Sequence, residues 1–272
     1  MSTNSMSSNL ESETFREFFE NWLVEQNQYL SELISLAKAN DADPTTCSND
    51  VDMLIKRVME CYEHYYKVKS HWIDQDALAM LKPTWISSLE DTFLWLGGWR
   101  PSMAFHLLYS KSGLQLEGRL PELIHGLSTG DLADLSYEQI MKTDALQRAT
   151  IKKEREISEK MAKYQETIAD PSMVELAHVA SESKRGRRGE SSGESMTRME
   201  EQLTVALGRR EDGLKEIVKM ADELRLTTLK EIVGILTKSQ TVHFFIAAAE
   251  LHLRIHEWGL QRDCGRRSKE PN

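Results

Sequence analysis

The sequence predicts an all-α fold: a bundle of long amphipathic helices with a mobile Ser/Gly/Arg-rich insertion. Three observations carry that reading. Apolar residues recur at steps of three and four through most of the chain, which lines them up on one face of a helix. No stretch shows the sustained period-two alternation of a half-buried strand. Residues 181–195, Ser-Glu-Ser-Lys-Arg-Gly-Arg-Arg-Gly-Glu-Ser-Ser-Gly-Glu-Ser, hold no large apolar side chain and read as a flexible loop, bounded at 181–197.

The elements follow in order. Residues 1–12 are poor in apolar side chains and read as disordered. Phe15, Phe18, Phe19, Trp22, Leu23, Leu30, Leu33 and Ile34 share one helical face and predict a first helix to about Ala39. After a loop from Asn40 to Asn49, the same period in Val51, Leu54, Ile55, Val58, Met59, Tyr62, Tyr65 and Tyr66 predicts a second helix ending near Ser70. Leu89, Phe93, Leu94 and Leu96 predict a third, running into Gly97-Gly98. A mid-helix Gly-Gly would cost about 1–2 kcal/mol against alanine, so the pair marks a helix end or a close crossing of two backbones.

Ser102 reads as the cap of a helix carrying Phe105, Leu107, Leu108 and Tyr109, and a short element covers Leu120 to Leu127. Ser136 with Gln139 forms a capping box that opens a long charged helix. Its narrow seam, Ile151, Ile157, Met161, Tyr164 and Ile168, resembles coiled-coil packing, and Pro171 is predicted to kink or end it. Beyond the loop, Met199, Leu203, Leu207, Leu214, Ile217, Met220, Leu224 and Leu229 mark one helix or a broken pair. Thr237 to Gln240 reads as a turn, and Val242 to Trp258 as a last helix stopped by a left-handed Gly259. Residues 13–260 then form the domain, and 261–272 a basic disordered tail.

Composition narrows the function. The chain has 272 residues, 40% of them hydrophobic, enough to bury a substantial core as one large domain or two small ones. It holds no run of about 18 apolar residues to span a membrane, and its Ser/Asn-rich start lacks the basic and apolar regions of a secretory signal. A protein kept inside the cell is expected. Cys47, Cys61 and Cys264 are odd in number, far apart and outside any Cys-x-x-Cys spacing, which indicates neither a disulfide framework nor a cysteine zinc site. A net charge of -9 argues against broad adhesion to nucleic acid. Gly97-Gly98 lacks the Gly-x-x-x-x-Gly-Lys pattern, Gly-x-Ser-x-Gly is absent, and no predicted strand could present either, so the chain is expected not to be an enzyme.

A few residues could still bind something. His252 and His256 project from one helical face at a spacing that lets two imidazoles meet one metal ion. A zincin would need Glu directly after the first histidine, whereas Glu257 follows the second. The plain alternative is two polar histidines near a helix end. Lys184, Arg185, Arg187 and Arg188 form a short basic cluster suited to nuclear import or simply to a solvated loop, and Arg262, Arg266, Arg267 and Lys269 carry the same ambiguity. Phe15, Phe18, Phe19 and Trp22 are either anchors for a partner helix or the protein's own core, the core having first claim on most of them.

Four ordered motifs carry a family resemblance: Phe19-Glu-Asn-Trp-Leu-Val-Glu-Gln26, Phe93-Leu-Trp-Leu-Gly-Gly-Trp-Arg-Pro-Ser102, Ala221-Asp-Glu-Leu-Arg-Leu-Thr-Thr-Leu229 and Ile235-Leu-Thr-Lys-Ser-Gln240. Over about residues 13–260 the chain resembles the DOG1 domain of plants, shared by delay-of-germination proteins and the C-terminal region of TGA-type bZIP transcription factors. His252-Leu-Arg-Ile-His256-Glu-Trp-Gly259 is more similar to the delay-of-germination branch.

The resemblance implies a regulatory protein of seed dormancy, germination and abscisic-acid signalling in nucleus and cytoplasm, binding clade A protein phosphatases of the 2C type. It places that contact on the first helix, at Phe19, Trp22 and Gln26, and haem at His252 and His256. Two imidazoles from one unbroken helix face meet an iron from the same side, so one of them would ligate and the other support it. Otherwise the second ligand would come from His243 or another subunit. The alternative implied is a TGA-like transcriptional cofactor, able to form a homodimer or to pair with bZIP factors. TGA factors carry a basic region and zipper ahead of the shared domain, where this chain has about a dozen residues, so direct DNA binding is not expected.

Overall fold

The computed structural model describes residues 3–42, 48–111, 135–185 and 193–267. They form α1 (Thr3–Ala42), α2 (Ser48–Gln75), α3 (Ala77–Leu81), α4 (Ser88–Asp91), α5 (Met103–Lys111), α6 (Tyr137–Glu166), α7 (Pro171–Arg185), α8 (Gly193–Ile235) and α9 (Lys238–Arg267). The fold is all-α. Among the described residues the sole extended pairing is a single bridge between Trp95 and Gly98. Helix α8 packs against α6, α2, α3 and α7, while α9 lies along α1 and also covers α4, α5 and part of α2.

Burial follows the apolar periods. Leu33, Val58, Phe105, Ile232, Phe244 and Phe245 fill one end of the bundle. Phe15, Trp22, Ile73, Met80, Trp85 and Val218 fill the other. A narrower cluster of Ile157, Ile217, Ala221 and Leu224, with Met161 and Tyr164 beside it, seals α6 onto α8. The predicted seam of α6 thus stops at Tyr164, and Ile168 is exposed.

Polar caps fix how helices enter the bundle. Ser136 and Gln139 form the expected box, Ser136 N donating to Gln139 Oε1 at 3.0 Å and Gln139 N to Ser136 Oγ at 3.2 Å. The Gln139 amide also reaches Ile235 O at 2.9 Å and Gln240 Oε1 at 2.7 Å, which ties the start of α6 to the α8–α9 turn. That turn is itself a capping box: Thr237 N donates to Gln240 Oε1 at 2.9 Å, and Gln240 N to Thr237 Oγ1 at 3.3 Å.

Several boundaries differ from expectation. Helix α1 begins at Thr3 and takes in most of the stretch read as disordered; no Gly or Pro interrupts it there. Helix α6 does end before Pro171, through a 3-10 turn at Thr167–Ala169 and an extended Asp170, and the proline then opens α7, where its missing N–H costs nothing in a first helical turn. Met199 to Leu229 lies within one continuous α8. Gly259 is no cap: α9 runs through it to Arg267, so most of the expected tail is helical. The short element at Leu120 to Leu127, Cys47, Arg187, Arg188 and Lys269 lie outside the described residues.

The largest correction falls on the helix predicted to run into the double glycine; the alternative of a close backbone crossing holds, Gly97 lying against the backbone of Met80 and Leu81. Helix α4 ends at Asp91, and Leu96 and Gly97 both take positive φ, 49° and 74°. Trp95 N donates to Gly98 O at 2.7 Å and Gly98 N to Trp95 O at 3.3 Å, which makes Trp95-Leu96-Gly97-Gly98 a tight two-residue turn of the hairpin type. A helix running into the pair would have left those carbonyls pointing along its axis; the turn points them sideways, into the bundle.

Candidate functional site

Two constellations are built by residues distant in sequence. The first is a cationic clamp on the turn. Arg225 is fully buried and donates Nε to Trp99 O at 2.6 Å, Nη2 to Trp95 O and to Leu96 O, and Nη1 to Asp222 Oδ1 at 2.6 Å. Lys69, also buried, bridges Asp222 Oδ1 at 3.0 Å and Gly97 O at 2.7 Å. Burial pushes the Lys69 ammonium below its usual range, with Asp222 pulling the other way. Both glycines are required by space: a Cβ on Gly97 would strike Met80 O, and one on Gly98 would lie 2.9 Å from Arg225 Cζ.

The flanking residues are pinned too. Trp95 Nε1 donates to Ser158 Oγ at 3.1 Å and Trp99 Nε1 to the Tyr66 hydroxyl at 2.9 Å. Buried Glu154 accepts from Arg100 Nε at 2.8 Å and from Ser102 N at 2.6 Å. The turn is therefore held by α2, α6 and α8 together. Sequence reasoning quoted Asp222 and Arg225 only inside a motif and passed over Lys69 and Glu154. A signal existed: Asp222 and Arg225 stand four residues after Val218 and Ala221, in the apolar register of α8, where a charge is out of place unless paired.

The second constellation joins α9 to α1 and α4. His252 packs on Trp22, ring centroids 5.4 Å apart, and His256 meets Phe19 edge-on at 6.1 Å. His256 Nδ1 donates to Glu90, 2.9 and 3.1 Å from its two oxygens. Glu90 Oε2 also accepts from Ser87 N at 2.8 Å and Ser87 Oγ at 2.6 Å, closing the capping box of α4. Two helical turns on, Asp263 accepts from Ser88 N and Ser88 Oγ, both at 2.8 Å. Between them Gly259 is buried where a Cβ would collide with the Ser87 side chain. That close approach is why a glycine stands there.

The electrostatics follow from the packing. Burial, helped by neighbouring His256 and opposed by Glu90, pushes His252 down to about 4, so it is neutral at ordinary pH. Burial works against ionisation of Glu90, but the hydrogen bonds from His256 and Ser87 outweigh it and hold the carboxyl below its usual range.

The partner candidates on α1 face the same way. Phe19, Trp22 and Gln26 are all buried, Gln26 Nε2 donating to Cys61 Sγ at 3.3 Å, so in this state they are core side chains and not a docking surface. A haem would have to be laid between α9 and α1, on a face where Trp22 covers one imidazole and Phe19 and Glu90 engage the other. As packed, these residues do not fit the group. Among the described residues, no set of three or more His, Cys, Asp and Glu could hold a metal ion. Lys184 and Arg185 close the C-terminal end of α7. No described helix is long and apolar enough to cross a membrane.

Fold and constellations define an all-α domain whose buried charged groups are spent on locking helices and one turn together. A family model described as DOG1, seed dormancy control, matches residues 29–110. Protein DOG1-like 4 of Arabidopsis thaliana is 33% identical over 258 residues, covering 93% of this chain and 95% of the relative. DOG1-like 3 of the same plant is 28% identical over 89% of this chain and 82% of its own length. Transcription factor TGA6 is 26% identical over 86% of this chain and 60% of its own length. The chain belongs to the DOG1-like family.

Proposed function

We propose that this protein is a non-enzymatic regulator of seed dormancy and abscisic-acid responses, present in nucleus and cytoplasm, that acts by binding clade A protein phosphatases of the 2C type. The observation that supports it most is the likeness to Protein DOG1-like 4 along almost the whole chain. The engagement of Lys69, Glu90, Glu154, Asp222 and Arg225 in holding helices together favours a binding role over catalysis.

With Phe19, Trp22 and Gln26 in the core, a phosphatase meets α1 on its outer face, where Arg16 and Glu20 pair at 3.3 Å and Val24 is 70% exposed. Deleting residues 1–30 would strip Phe15, Phe19, Trp22 and Leu23 from the core, so surface point variants make the better test. Purified phosphatase should be captured by the intact chain and lost from Val24→Asp at unchanged melting temperature. Undiminished capture by Val24→Asp and by Glu20→Arg would remove α1 from the contact. A second reading, a transcriptional cofactor working with bZIP partners, is favoured by the match to TGA6; capture of bZIP factors and no phosphatase would select it.

A further inference from the structure

One flank of α9 is used by neither constellation. Leu251, Ile255, Trp258 and Arg262 follow one another at steps of four, three and four, and Arg266 continues the row. They form a single stripe about a quarter-turn round α9 from His252, His256, Gly259 and Asp263, which face α1 and α4. Leu251 is 43% and Trp258 56% exposed, an unusual place for a tryptophan next to a core that already buries Trp22 and Trp85. Arg254, on the outermost face of the helix, is paired with Glu257 at 2.6 Å, but Arg262 and Arg266 make no ion pair among the described residues. A cation in the last turn, such as Arg266, is favoured by the helix dipole alone; Arg262, a turn earlier and in line with Trp258, is not explained that way.

We propose that this stripe docks an acidic amphipathic helix of a partner protein. A line of side chains about 22 Å long on a convex helix surface matches another helix laid along it; an extended peptide would need a groove or a sheet edge. Tryptophan beside arginine is the residue combination that dominates interface energetics, and two unpaired guanidinium groups at one end of an apolar line call for carboxylates at the matching end of the partner. An anionic membrane or a nucleic acid is the poorer fit, because the chain's net charge of -9 repels a wide polyanion that a single narrow helix escapes. The stripe shares no residue with the α1 positions Arg16, Glu20 and Val24, so Trp258→Ala and Val24→Asp test this docking and the phosphatase contact separately.

The test uses the full-length chain and two synthetic amphipathic helical peptides with identical leucine faces, one carrying glutamates and the other lysines at the positions next to the arginines, titrated by fluorescence anisotropy. The glutamate peptide should bind, at least about tenfold more tightly than the lysine peptide, and Trp258→Ala should weaken it about tenfold or more. Arg262→Glu with Arg266→Glu should reverse the preference, so that the lysine peptide binds the variant. Equal affinity for both peptides, no binding to either, or indifference to Trp258→Ala overturns the proposal. So does Trp258-dependent co-sedimentation with phosphatidylserine vesicles by a chain that ignores the glutamate peptide.

Discussion

Replacing Arg225 by methionine should bring the whole protein close to unfolding, although the change leaves the surface untouched. The methionine fills much of the same space, but Leu96 O and Trp99 O lose their donor inside the bundle, while Trp95 O keeps only the 3.3 Å bond from Gly98 N. Each buried acceptor left unsatisfied costs about 1–3 kcal/mol, and loss of the guanidinium above the Trp95 ring, now 5.4 Å from its centroid, adds about 1 kcal/mol. Lys69 still serves Asp222 and Gly97 O, so the charge of Asp222 is not orphaned. The net loss is therefore about 3–7 kcal/mol, a large part of the roughly 5–15 kcal/mol that holds a domain together.

Urea unfolding followed by far-UV circular dichroism measures it, with Arg254→Met on the exposed face as a control expected within about 0.5 kcal/mol of the parent. Arg225→Lys should fall near Arg225→Met, since an ammonium cannot span three carbonyls as the planar fork does. A double-mutant cycle with Asp222→Asn should show coupling of about 0.5–3 kcal/mol, because Asp222 Oδ1 accepts from both cations. If Arg225→Met unfolds at the same urea concentration as Arg254→Met, the clamp is not what holds the turn.

Other consequences are equally measurable. His252 lies near 4 in the folded chain against 6.5 ordinarily, so its stabilising contribution is complete above about pH 6.5 and is lost, by about 3 kcal/mol in all, as pH falls towards 4. Glu90, also held low, loses its share in the same direction; His252→Phe should flatten the acid limb of a stability–pH profile, and an unchanged limb would refute the assignment. Gly259→Ala should cost about 1–3 kcal/mol by pushing Ser87 off Glu90, and Ser87→Gly in the same chain should recover part of it in a thermal melt. Cys61 is buried, and burial together with the charge of Glu25 pushes its thiol up to about 12, so iodoacetamide should leave it unmodified until the chain is unfolded; rapid labelling of native Cys61 would contradict the packing around Gln26.

The periodicity of this chain was sufficient for its helices because burying an apolar stripe is a local demand: Phe15 to Leu33, Val51 to Tyr66 and Leu214 to Leu229 each state in their own spacing which face goes inward. Boundaries were less legible. Pro171 ends one helix and opens the next, but Gly259, predicted as a stop, lies inside α9, because a glycine in mid-helix is tolerated wherever a neighbour, here Ser87, comes too close for a Cβ. The histidine pair was visible as a pair, but that Trp22 and Phe19 would be its neighbours was not, since those residues stand more than two hundred positions before it along the chain.

What the sequence by itself determined was the helical class, the apolar faces and, through four motifs, the family. Only the tertiary structure decided that Phe93 to Ser102 is a clamped turn and that Lys69, Asp222 and Arg225 are its clamp. It alone placed the candidate partner residues of α1 against the candidate ligand residues of α9. The physical reason is the same in each case: apolar burial needs only a pattern within one helix, whereas a buried charge is satisfied by particular atoms brought from elsewhere, and those partners exist only once the helices have packed.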